Sequence, residues 1–406
     1  MSEPLGPHDS VVVVGAGLAG WRLAATLRHR GFAGPITLVG EESARPYDRP
    51  PLTKQVLAGS LALEELALER EVDPSLTWRL GVRARALDVD ARRVILADGD
   101  TVTGTRVVVA TGVRARHLDV SADDRLHYVR RLEDVTRLES DLAGRAPSSP
   151  VAVIGGGFIG AEVATSLAHR GFRPIVLEAM DRPLLNVLGP DVAGWLAELP
   201  ALAGIELRTG CAVAGVTTDG DDVVISLVGG ATVRAPVVVA GIGALPNTEW
   251  LEGSGLALDN GVVVDEDYSA APGVAAIGDV ARFPWAGPAG VERARIEHWQ
   301  VANDHAMELA RRWTAPAEPH HPLVPYFWSD QYGAKIQVLG HPRPTDVVQV
   351  VAGDPRDARF VALYSRDEVV TGVVALRSPR ALALARPILL APTTLGDALA
   401  RAPWER

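Results

Sequence analysis

Residues 151–172, VAVIGGGFIGAEVATSLAHRGF, are the most informative segment of the chain, because nearly the same segment occurs earlier, as VVVVGAGLAGWRLAATLRHRGF at residues 11–32. The two copies share one register: Gly15 corresponds to Gly155 and Phe32 to Phe172, a constant offset of 140 positions. Such an offset is too long for the period of a solenoid repeat. It indicates two copies of one dinucleotide-binding unit.

Size and composition are those of a globular chain with more than one domain. The 406 residues suffice for two or three domains, and 47% of them are hydrophobic. No stretch offers 18 apolar residues without charges or turn formers, and the N-terminus lacks a secretory signal pattern, so we expect no membrane span. The single cysteine, Cys211, excludes an intrachain disulfide framework and favours a reducing, cytoplasmic setting. The net charge of −10 argues against nonspecific nucleic-acid binding.

Each copy has the pattern of a buried strand, a glycine-rich turn and a helix. An apolar run enters G-x-G-x-x-G, and apolar residues at helical spacing follow. The motif glycines are Gly15, Gly17 and Gly20 in the first copy and Gly155, Gly157 and Gly160 in the second. The first glycine permits the tight turn, the second lets the backbone approach a pyrophosphate, and the third lets the helix pack on the strand. The helix N-terminus adds free N–H groups that favour a phosphate.

An acidic residue closes the second strand of each unit. Glu41 lies 26 residues after Gly15, and Glu178 lies 23 residues after Gly155. A carboxylate at this position accepts hydrogen bonds from ribose hydroxyls. Because the complete context occurs twice, the sequence predicts two bound dinucleotides, and the natural pair is a flavin with a nicotinamide.

Three later segments resemble those of the two-dinucleotide flavoprotein oxidoreductases, the superfamily that includes glutathione reductase. RVVVATG (106–112) and VVVAGIGALPN (237–247) are similar to the strands that lead out of the flavin and nicotinamide domains. VAAIGDV (274–280) is similar to the flavin-domain strand that ends in a ribityl-binding aspartate, here Asp279, although a turn or helix-cap aspartate is the alternative.

The resemblance implies an α/β fold with two Rossmann-like, three-layer dinucleotide-binding domains, as in glutathione reductase, and a C-terminal α/β domain. We expect a discontinuous FAD-binding domain at residues 1–115 and 245–320, and an NAD-binding domain at 116–244. The proline-containing break at 314–322 then introduces a C-terminal domain at 321–406, which is expected to cover the flavin and shape the partner-docking face.

Thiol chemistry is excluded by the sequence. Disulfide reductases of this superfamily need cysteines after the first unit, and residues 36–60 contain none. RPYDRPPLTK (45–54) instead resembles the ferredoxin reductases that serve cytochrome P450s and ring-hydroxylating oxygenases, the putidaredoxin reductase type. YVRRLED (128–134), RIEHWQVAN (295–303) and PYFWSDQYGAKIQVLG (325–340) are similar to motifs of the same group.

Site residues follow from this resemblance, position by position. The FAD-binding residues are expected to be Gly15, Gly17, Ala19, Gly20, Glu41, Arg49, Lys54, Ala84, Arg130, Asp279 and Trp299. The NAD-binding residues are expected to be Gly155, Gly157, Ile159, Gly160, Glu162 and Glu178. Trp299 either covers a flavin face or packs in the core. No metal site is expected, because the adjacent His320 and His321 lack further ligands at metal-site spacing.

Lys54 and Glu162 are the predicted catalytic pair. The chain has 38 arginines and two lysines, so an amine at position 54 indicates that a compact cation is required there. The resemblance implies that it pairs with Glu162 beside the flavin. The alternatives are a solvated surface lysine and a glutamate that favours the dipole from the first helical turn. Glu178 should repel the 2′-phosphate of NADPH and so favour NADH, with Arg182 allowing some use of NADPH.

The implied activity is NADH-dependent ferredoxin reduction. NADH would pass a hydride to FAD, and single electrons would then leave to a small iron–sulfur ferredoxin that serves a P450 or an oxygenase. A basic patch of Arg293, Arg295, Arg311 and Arg312, with Trp328, is a candidate for partner contact. We expect no nucleic-acid or membrane partner, and a monomer or weak homodimer.

Two alternatives to this activity remain open. One is a quinone reductase anchored by an amphipathic segment at 381–400. The other is a flavoprotein redox switch that responds to NADH.

Overall fold

The computed structural model describes residues 4–68, 73–120, 125–320, 322–402 and 404. The elements of the first unit begin with β1 (Val11–Val14), α1 (Leu18–His29), β2 (Ile36–Gly40), β3 (Leu76–Leu80), β4 (Ala84–Asp88), β5 (Arg93–Leu96), β6 (Thr101–Thr103), β7 (Arg106–Val109) and β8 (Val113–Ala115). Those around the second glycine-rich turn are β9 (Leu126–His127), α2 (Leu132–Leu142), β10 (Pro150–Ile154), α3 (Phe158–His169), β11 (Arg173–Leu177), α4 (Leu185–Leu196), α5 (Leu199–Leu202), β12 (Glu206–Arg208), β13 (Val213–Asp219), β14 (Asp222–Leu227), β15 (Thr232–Ala235), β16 (Val237–Ala240) and β17 (Ala244–Pro246).

The remaining elements return to the first sheet and then build the C-terminal part. They are β18 (Val262–Val263), β19 (Ser269–Ala271), β20 (Val274–Ala276), β21 (Ala281–Gly287), β22 (Gly290–Ala294), α6 (Trp299–Thr314), β23 (Tyr326–Gln331), β24 (Ala334–Gly340), β25 (Val347–Asp354), β26 (Arg359–Arg366), β27 (Val369–Leu376), α7 (Pro379–Ala385) and α8 (Leu395–Arg401). Short 3₁₀ turns lie at Pro50–Thr53, Leu63–Leu66, Glu249–Leu251, Gly278–Val280, Pro355–Asp357 and Arg386–Leu389.

The first glycine-rich unit belongs to a sheet of order β19-β20-β7-β1-β2-β3, parallel except for the β19–β20 pair. The valines of β1 are buried on both faces, as parallel strands covered by helices require. The chain runs outward from β1 to β2 and β3 and then returns on the other side of β1 as β7. The strand order therefore reverses between β1 and β7, which is where such sheets bind ligands.

The second unit repeats this topology in a sheet of order β12-β11-β10-β16-β9, parallel throughout. Here the chain runs from β10 to β11 and β12 and returns as β16, so the reversal lies between β10 and β16. The two nucleotide-binding units predicted from the duplicated motif are thus present with the same strand connections, and the predicted α/β fold class is confirmed.

Helix α6 completes the first unit from a distant part of the chain. It packs along α1, where Leu23 and Leu27 meet Ala306 and Leu309 in one apolar cluster. Arg22 Nε also donates to Asn303 Oδ1 across 2.8 Å. This packing brings the N-terminus of α6 to the glycine-rich end of the first sheet.

The C-terminal part is an antiparallel sheet of order β23-β24-β27-β26-β25. One face packs on α7 and the 3₁₀ turn after it, through Leu382 and Ile388. The other face packs against the second unit, where Tyr364 OH donates to the backbone carbonyl of Leu188 in α4, 2.7 Å away. Strand β23 lies against α3, so this sheet borders the region between the two nucleotide-binding units.

Residues 381–400, the candidate membrane anchor, do not form one helix. They divide into the end of α7, a 3₁₀ turn and most of α8, each helix having seven residues. Across the described ranges, none of the helices has the length and apolar character that a membrane crossing needs. The structure therefore offers no amphipathic helix of useful length at this place.

Candidate functional site

The first glycine-rich turn has the backbone that its motif predicts. Gly15 has φ +117°, and a Cβ there would collide with the carbonyl oxygen of Ala110, directly after β7. A Cβ at Gly20 would collide with the carbonyl oxygen of Gly15. Gly17 is different, since the nearest described atom to a Cβ at that position is a guanidinium nitrogen of Arg49, at 3.9 Å. The turn thus needs glycine for packing at two positions and leaves open space at the third.

The second turn repeats this arrangement. Gly155 has φ +98°, and a Cβ there would collide with the carbonyl oxygen of Gly241, directly after β16. A Cβ at Gly160 would collide with Gly155, whereas one at Gly157 meets no described atom within 4 Å. Ile159, at the start of α3, is 44% exposed. An apolar side chain that remains in solvent beside an open glycine suits a nucleotide-binding edge.

Glu41 and Glu178 occupy equivalent positions after β2 and β11, but their partners differ. Glu178 lies against its own turn: Oε2 accepts the N–H of Gly156 at 2.8 Å and Oε1 accepts that of Met180 at 2.9 Å. Glu41 pairs with Arg83 and, at 3.0 Å, with Arg131. Burial alone would raise the pKa of Glu41, but the two guanidinium groups outweigh it and lower that pKa.

Arg130 and Asp279 form a partly buried ion pair next to the first turn. Arg130 Nη2 lies 3.2 Å from Asp279 Oδ2, and its Nε donates to the carbonyl of Val113 at 3.1 Å. Burial raises the pKa of Asp279 against the opposing effect of Arg130, and burial, followed by the charge of Arg49, lowers the pKa of Arg130. A donor and an acceptor of opposite charge thus lie together at the carboxyl end of the sheet.

Arg49 extends this group toward Gly17. Its Nη1 donates to the carbonyl of Arg130 and to the hydroxyl of Tyr47, both at 2.8 Å, and its Nη2 lies 2.5 Å from Glu42 Oε1. Tyr47 and Glu42 were not predicted as site residues, although Tyr47 lies inside the quoted RPYDRPPLTK segment. The sequence places Glu42 beside Glu41 and gives no sign that the two carboxylates take different arginines.

Ala19 and Ala84 lie beside the same end of the first sheet. Gly278, with φ +71°, approaches Ala19 so closely that a Cβ there would lie 2.9 Å from the Ala19 methyl group. Ala84 begins β4 and is 7% exposed. It follows the turn in which the N–H of Val82 donates to the carbonyl of Gly40, at the end of β2.

Lys54 and Glu162 join the two units directly. Lys54 Nζ lies 2.8 Å from Glu162 Oε2, and the two side chains are 12% and 4% exposed. Lys54 is therefore not a solvated surface charge. Glu162 lies beyond the first turn of α3, which contains no acidic residue, so a helix-dipole role does not explain it. Thr53 and Ser329, which sequence reasoning missed, also donate to this carboxylate.

Trp299 begins α6 and faces the same region. Its indole Nε1 donates to Asp48 Oδ1 at 2.7 Å. Its ring lies edge-on to Trp328, with 6.4 Å between centroids, and Trp328 in turn stacks on Tyr326 at 5.9 Å. Asp48, another residue that was not predicted, has its pKa raised by burial. Three aromatic rings thus lead away from the region between the units.

Three of the four arginines of the predicted basic patch pair with carboxylates within the fold. Arg311 is 8% exposed and pairs with Glu308 at 2.7 Å. Arg312 pairs with Glu308 at 2.9 Å and also with Asp267. Arg295 pairs with Glu297, and Arg293 donates to the carbonyl of Val264. Arg293 is exposed, and the part that these arginines play in partner docking stays a prediction.

The described residues contain no group of three or more histidine, cysteine, aspartate or glutamate side chains that could hold a metal ion. His320 pairs with Glu308 at 2.9 Å, and His321 lies outside the described residues.

The residues at the first turn fit FAD. Gly17 leaves open space in front of the α1 N-terminus, where backbone N–H groups favour a pyrophosphate. The partly buried Arg130 and Asp279 supply a donor and an acceptor for the sugar-like part of such a molecule.

Comparison with known proteins agrees with this geometry. The profile of the family described as pyridine nucleotide-disulphide oxidoreductase matches residues 9–306, and that described as reductase C-terminal matches residues 326–403. The chain belongs to the pyridine nucleotide-disulphide oxidoreductase family. The family predicted from the sequence is therefore confirmed.

Its relatives include named reductases of similar length. Rhodocoxin reductase from Rhodococcus erythropolis is 37% identical, over 94% of this chain and 89% of that protein. The ferredoxin--NAD(+) reductase component of the p-cumate 2,3-dioxygenase system from Pseudomonas putida is 36% identical, over 93% of this chain and 92% of that protein. A crystal structure of the covalent putidaredoxin reductase–putidaredoxin complex matches with a TM-score of 0.87 and 32% identity, covering 94% of this chain and 92% of that one.

Proposed function

We propose that this protein is an NADH-dependent ferredoxin reductase that contains FAD and transfers electrons to a small iron–sulfur ferredoxin of a P450 or ring-hydroxylating oxygenase system. The observation that carries the proposal is the buried pair of Lys54 and Glu162. It joins the two nucleotide-binding units, and the segment that supplies Lys54 has no cysteine for thiol chemistry. An amine–carboxylate pair at this junction suits the control of charge during electron transfer.

The first unit would hold FAD with the residues assigned to it. Gly15, Gly17 and Gly20 shape the phosphate turn, Arg49 reaches its open side, and Arg130 and Asp279 border the cleft. Glu41, Ala19, Ala84 and Trp299 lie around the same sheet end. Bound FAD would accept a hydride from the nicotinamide and release the two electrons singly. The protein's part is to bind, orient and shield the reacting groups.

The second unit would hold the nicotinamide nucleotide, with NADH favoured over NADPH. The Glu178 carboxylate is fixed by two backbone N–H groups beside the open turn, where it would repel a ribose 2′-phosphate. Arg182, the residue expected to offset this repulsion, is turned toward α4: its Nη1 donates to the carbonyl of Pro190 at 3.1 Å. Both observations support a preference for NADH over NADPH.

The ferredoxin partner is supported by the relatives, two of which are named for a redox protein or a ferredoxin. Trp328 and Tyr326 are candidates for the side that faces it, since they lie beyond Trp299. We also propose the domain boundaries as predicted, 1–115 with 245–320, 116–244 and 321–406. The antiparallel pairing of β8 with β17 supports them, because it brings the two connecting segments together.

The test is ferredoxin-dependent reduction of cytochrome c by the purified holoprotein. With a ferredoxin from the same genome, we expect rapid reduction with NADH and much slower reduction with NADPH. The variant Glu178→Ala should narrow that difference, while Glu198→Ala, at an acidic residue C-terminal to α4, should leave it unchanged. If the holoprotein reduces no ferredoxin of any cluster type with either nucleotide, the proposed function is wrong.

A further inference from the structure

The Glu162 carboxylate receives three donors from two separate parts of the chain. Its Oε2 accepts the hydroxyl of Thr53 at 2.6 Å and the ammonium of Lys54 at 2.8 Å. Its Oε1 accepts the hydroxyl of Ser329 at 2.6 Å. Ser329 is 1% exposed and lies 167 residues from Glu162 in sequence, on strand β23 of the C-terminal sheet. Both oxygens of a buried carboxylate are therefore occupied by short, charge-assisted hydrogen bonds.

The direction of the Ser329 hydrogen bond follows from its neighbours. Gln331 Nε2 donates to Ser329 Oγ at 3.2 Å, so the single hydroxyl proton of Ser329 is directed to Glu162. An ionised carboxylate accepts only, which gives the same direction. The result is a chain of donors from Gln331 through Ser329 to Glu162.

Strand β23 holds this series of hydrogen-bonded side chains against α3. Alternate residues of a strand share a face, and Phe327, Ser329 and Gln331 form one such set. Phe327 packs edge-on against Phe158 of α3, with 4.7 Å between ring centroids. At the end of the strand, the N–H of Tyr332 donates to Thr165 Oγ1 at 2.8 Å. Contacts before and after Ser329 thus fix its hydroxyl relative to α3.

We propose that Ser329 is a positioning residue for the Lys54–Glu162 pair: by holding Oε1 of Glu162, it directs Oε2 to the ammonium of Lys54. The inference rests on the proposed function, in which this pair acts next to the two nucleotides. Without the Ser329 hydroxyl, Oε1 of the buried Glu162 carboxylate lacks its donor, and the carboxylate rotates toward other hydrogen-bond donors. Lys54 then loses its fixed position. The C-terminal sheet in this way contributes directly to the arrangement of the reaction site.

The chain allows a direct test, because Lys54 and Lys335 are its only lysines. Their side chains are 12% and 48% exposed, so an acetylating N-hydroxysuccinimide ester should label Lys335 faster in the holoprotein. Peptide mass spectrometry gives the ratio of the two labelling rates, with Lys335 as the internal reference. Ser329→Ala should raise the Lys54/Lys335 ratio by roughly three- to tenfold, as expected for the loss of one hydrogen bond.

Matched variants separate positioning from general loosening. Ser329→Thr keeps the hydroxyl and should restore the wild-type ratio, and Ser365→Ala, at another buried serine of the same sheet, should leave it unchanged. If the alanine variant fails to fold, Ser329→Cys, which has a similar size and a weak donor, should give the same rise. Reduction of the bound flavin by NADH should slow in parallel with the rise in the ratio.

An unchanged ratio in Ser329→Ala, or equal acceleration at both lysines, would overturn the inference and leave the proposed function standing. Failure of the wild-type protein to reduce ferredoxin would overturn the proposed function, and the labelling ratios would not be affected by it. The two failures are therefore distinguishable.

Discussion

At the scale of single residues, the central feature is an ion pair that is almost wholly removed from water. Taking Glu162 and Lys54 out of solvent is costly, and the hydroxyls of Thr53 and Ser329 offset part of that cost. Pairs of this kind contribute little net stability, yet removing one partner leaves an unpaired buried charge. A site that retains such a pair requires its charges for a purpose other than stability.

Substitutions of this pair should separate stability from function. Glu162→Leu leaves the Lys54 ammonium without its partner and should lower the free energy of unfolding by about 3 kcal/mol. This value is at the low end for buried pairs, because the Lys54 side chain is partly exposed. Lys54→Met/Glu162→Leu should recover most of that loss while reduction by NADH stays slow. Urea unfolding and stopped-flow absorbance measure the two effects. A double variant that reduces its flavin at the wild-type rate would contradict a catalytic role for the pair.

At the scale of elements, the strand–turn–helix unit uses its glycines for two different purposes. Gly155 and Gly160 are required by packing, since a Cβ at either would collide with backbone. Gly157 has open space instead. The same distinction holds in the first unit between Gly15 and Gly17. The turn is therefore rigid where it supports the sheet and open where a ligand would approach.

Alanine at these glycines should give opposite results. Gly157→Ala should change the melting temperature by no more than about 2 °C, because its cost in unfolding free energy is expected to be only a few tenths of a kcal/mol. The added methyl group should nevertheless raise KM for NADH about tenfold, because it occupies the space that the pyrophosphate needs. Gly155→Ala should destabilise the protein strongly, because it combines φ +98° with a backbone collision. Differential scanning calorimetry and steady-state kinetics test the pair. Equal effects on melting temperature would show that Gly157 is a packing residue as well.

Helix α6 carries a buried histidine that makes stability depend on pH. His305 is 2% exposed, its Nδ1 accepts the N–H of Gly278 at 3.3 Å, and burial lowers its pKa from 6.5 to about 3. The unfolded chain therefore binds a proton between about pH 3 and 6.5 that the folded protein does not bind. Stability contributed by neutral His305 is complete above pH 6.5 and is lost as the pH falls through this window.

The contribution of His305 should appear as a slope of at most about 1.4 kcal/mol per pH unit below pH 6. His305→Asn, which keeps an acceptor for Gly278 and does not titrate, should have a correspondingly flatter profile. Urea unfolding of both proteins between pH 4.5 and 7.5 gives the difference. Parallel profiles would show that His305 titrates equally in the folded and unfolded states.

At the scale of the whole molecule, the negative net charge affects the approach of a ferredoxin partner. The net charge is −10, and Arg295, Arg311 and Arg312 near α6 pair with Glu297, Glu308 and Asp267. A protein of this charge repels an acidic ferredoxin at long range, and salt screens that repulsion. For such a partner, we expect short-range contact to contribute more to docking than long-range attraction.

Ionic strength should test this arrangement. Between about 20 and 200 mM salt, KM for an acidic ferredoxin should stay constant or fall, because screening removes repulsion. Ferricyanide reduction by NADH, measured in the same buffers, controls for effects on the nucleotide sites. A several-fold rise in KM for ferredoxin would indicate attraction through a basic surface.

The sequence predicted those features of the molecule that depend on local patterns, and missed those that depend on contacts between distant segments. The duplicated units follow from local patterns of glycine and apolar spacing, so their strands and helices were predictable. Arg130, Asp279 and Trp299 were assigned only through resemblance to known motifs. Thr53, Asp48 and Ser329 were missed because their roles arise from contacts between distant segments. The Asp267 partner of Arg312 was missed for the same reason, since the two residues lie 45 positions apart.

The most direct test of electron transfer from NADH to ferredoxin by this protein is an anaerobic titration of the holoprotein with NADH, followed by addition of oxidised ferredoxin. We expect one equivalent of NADH to bleach the visible band of the bound flavin rapidly, NADPH to do so more slowly, and ferredoxin then to restore the band as its own cluster is reduced. A flavin that NADH reduces only very slowly, or a reduced protein that passes no electrons to ferredoxin, would contradict the account.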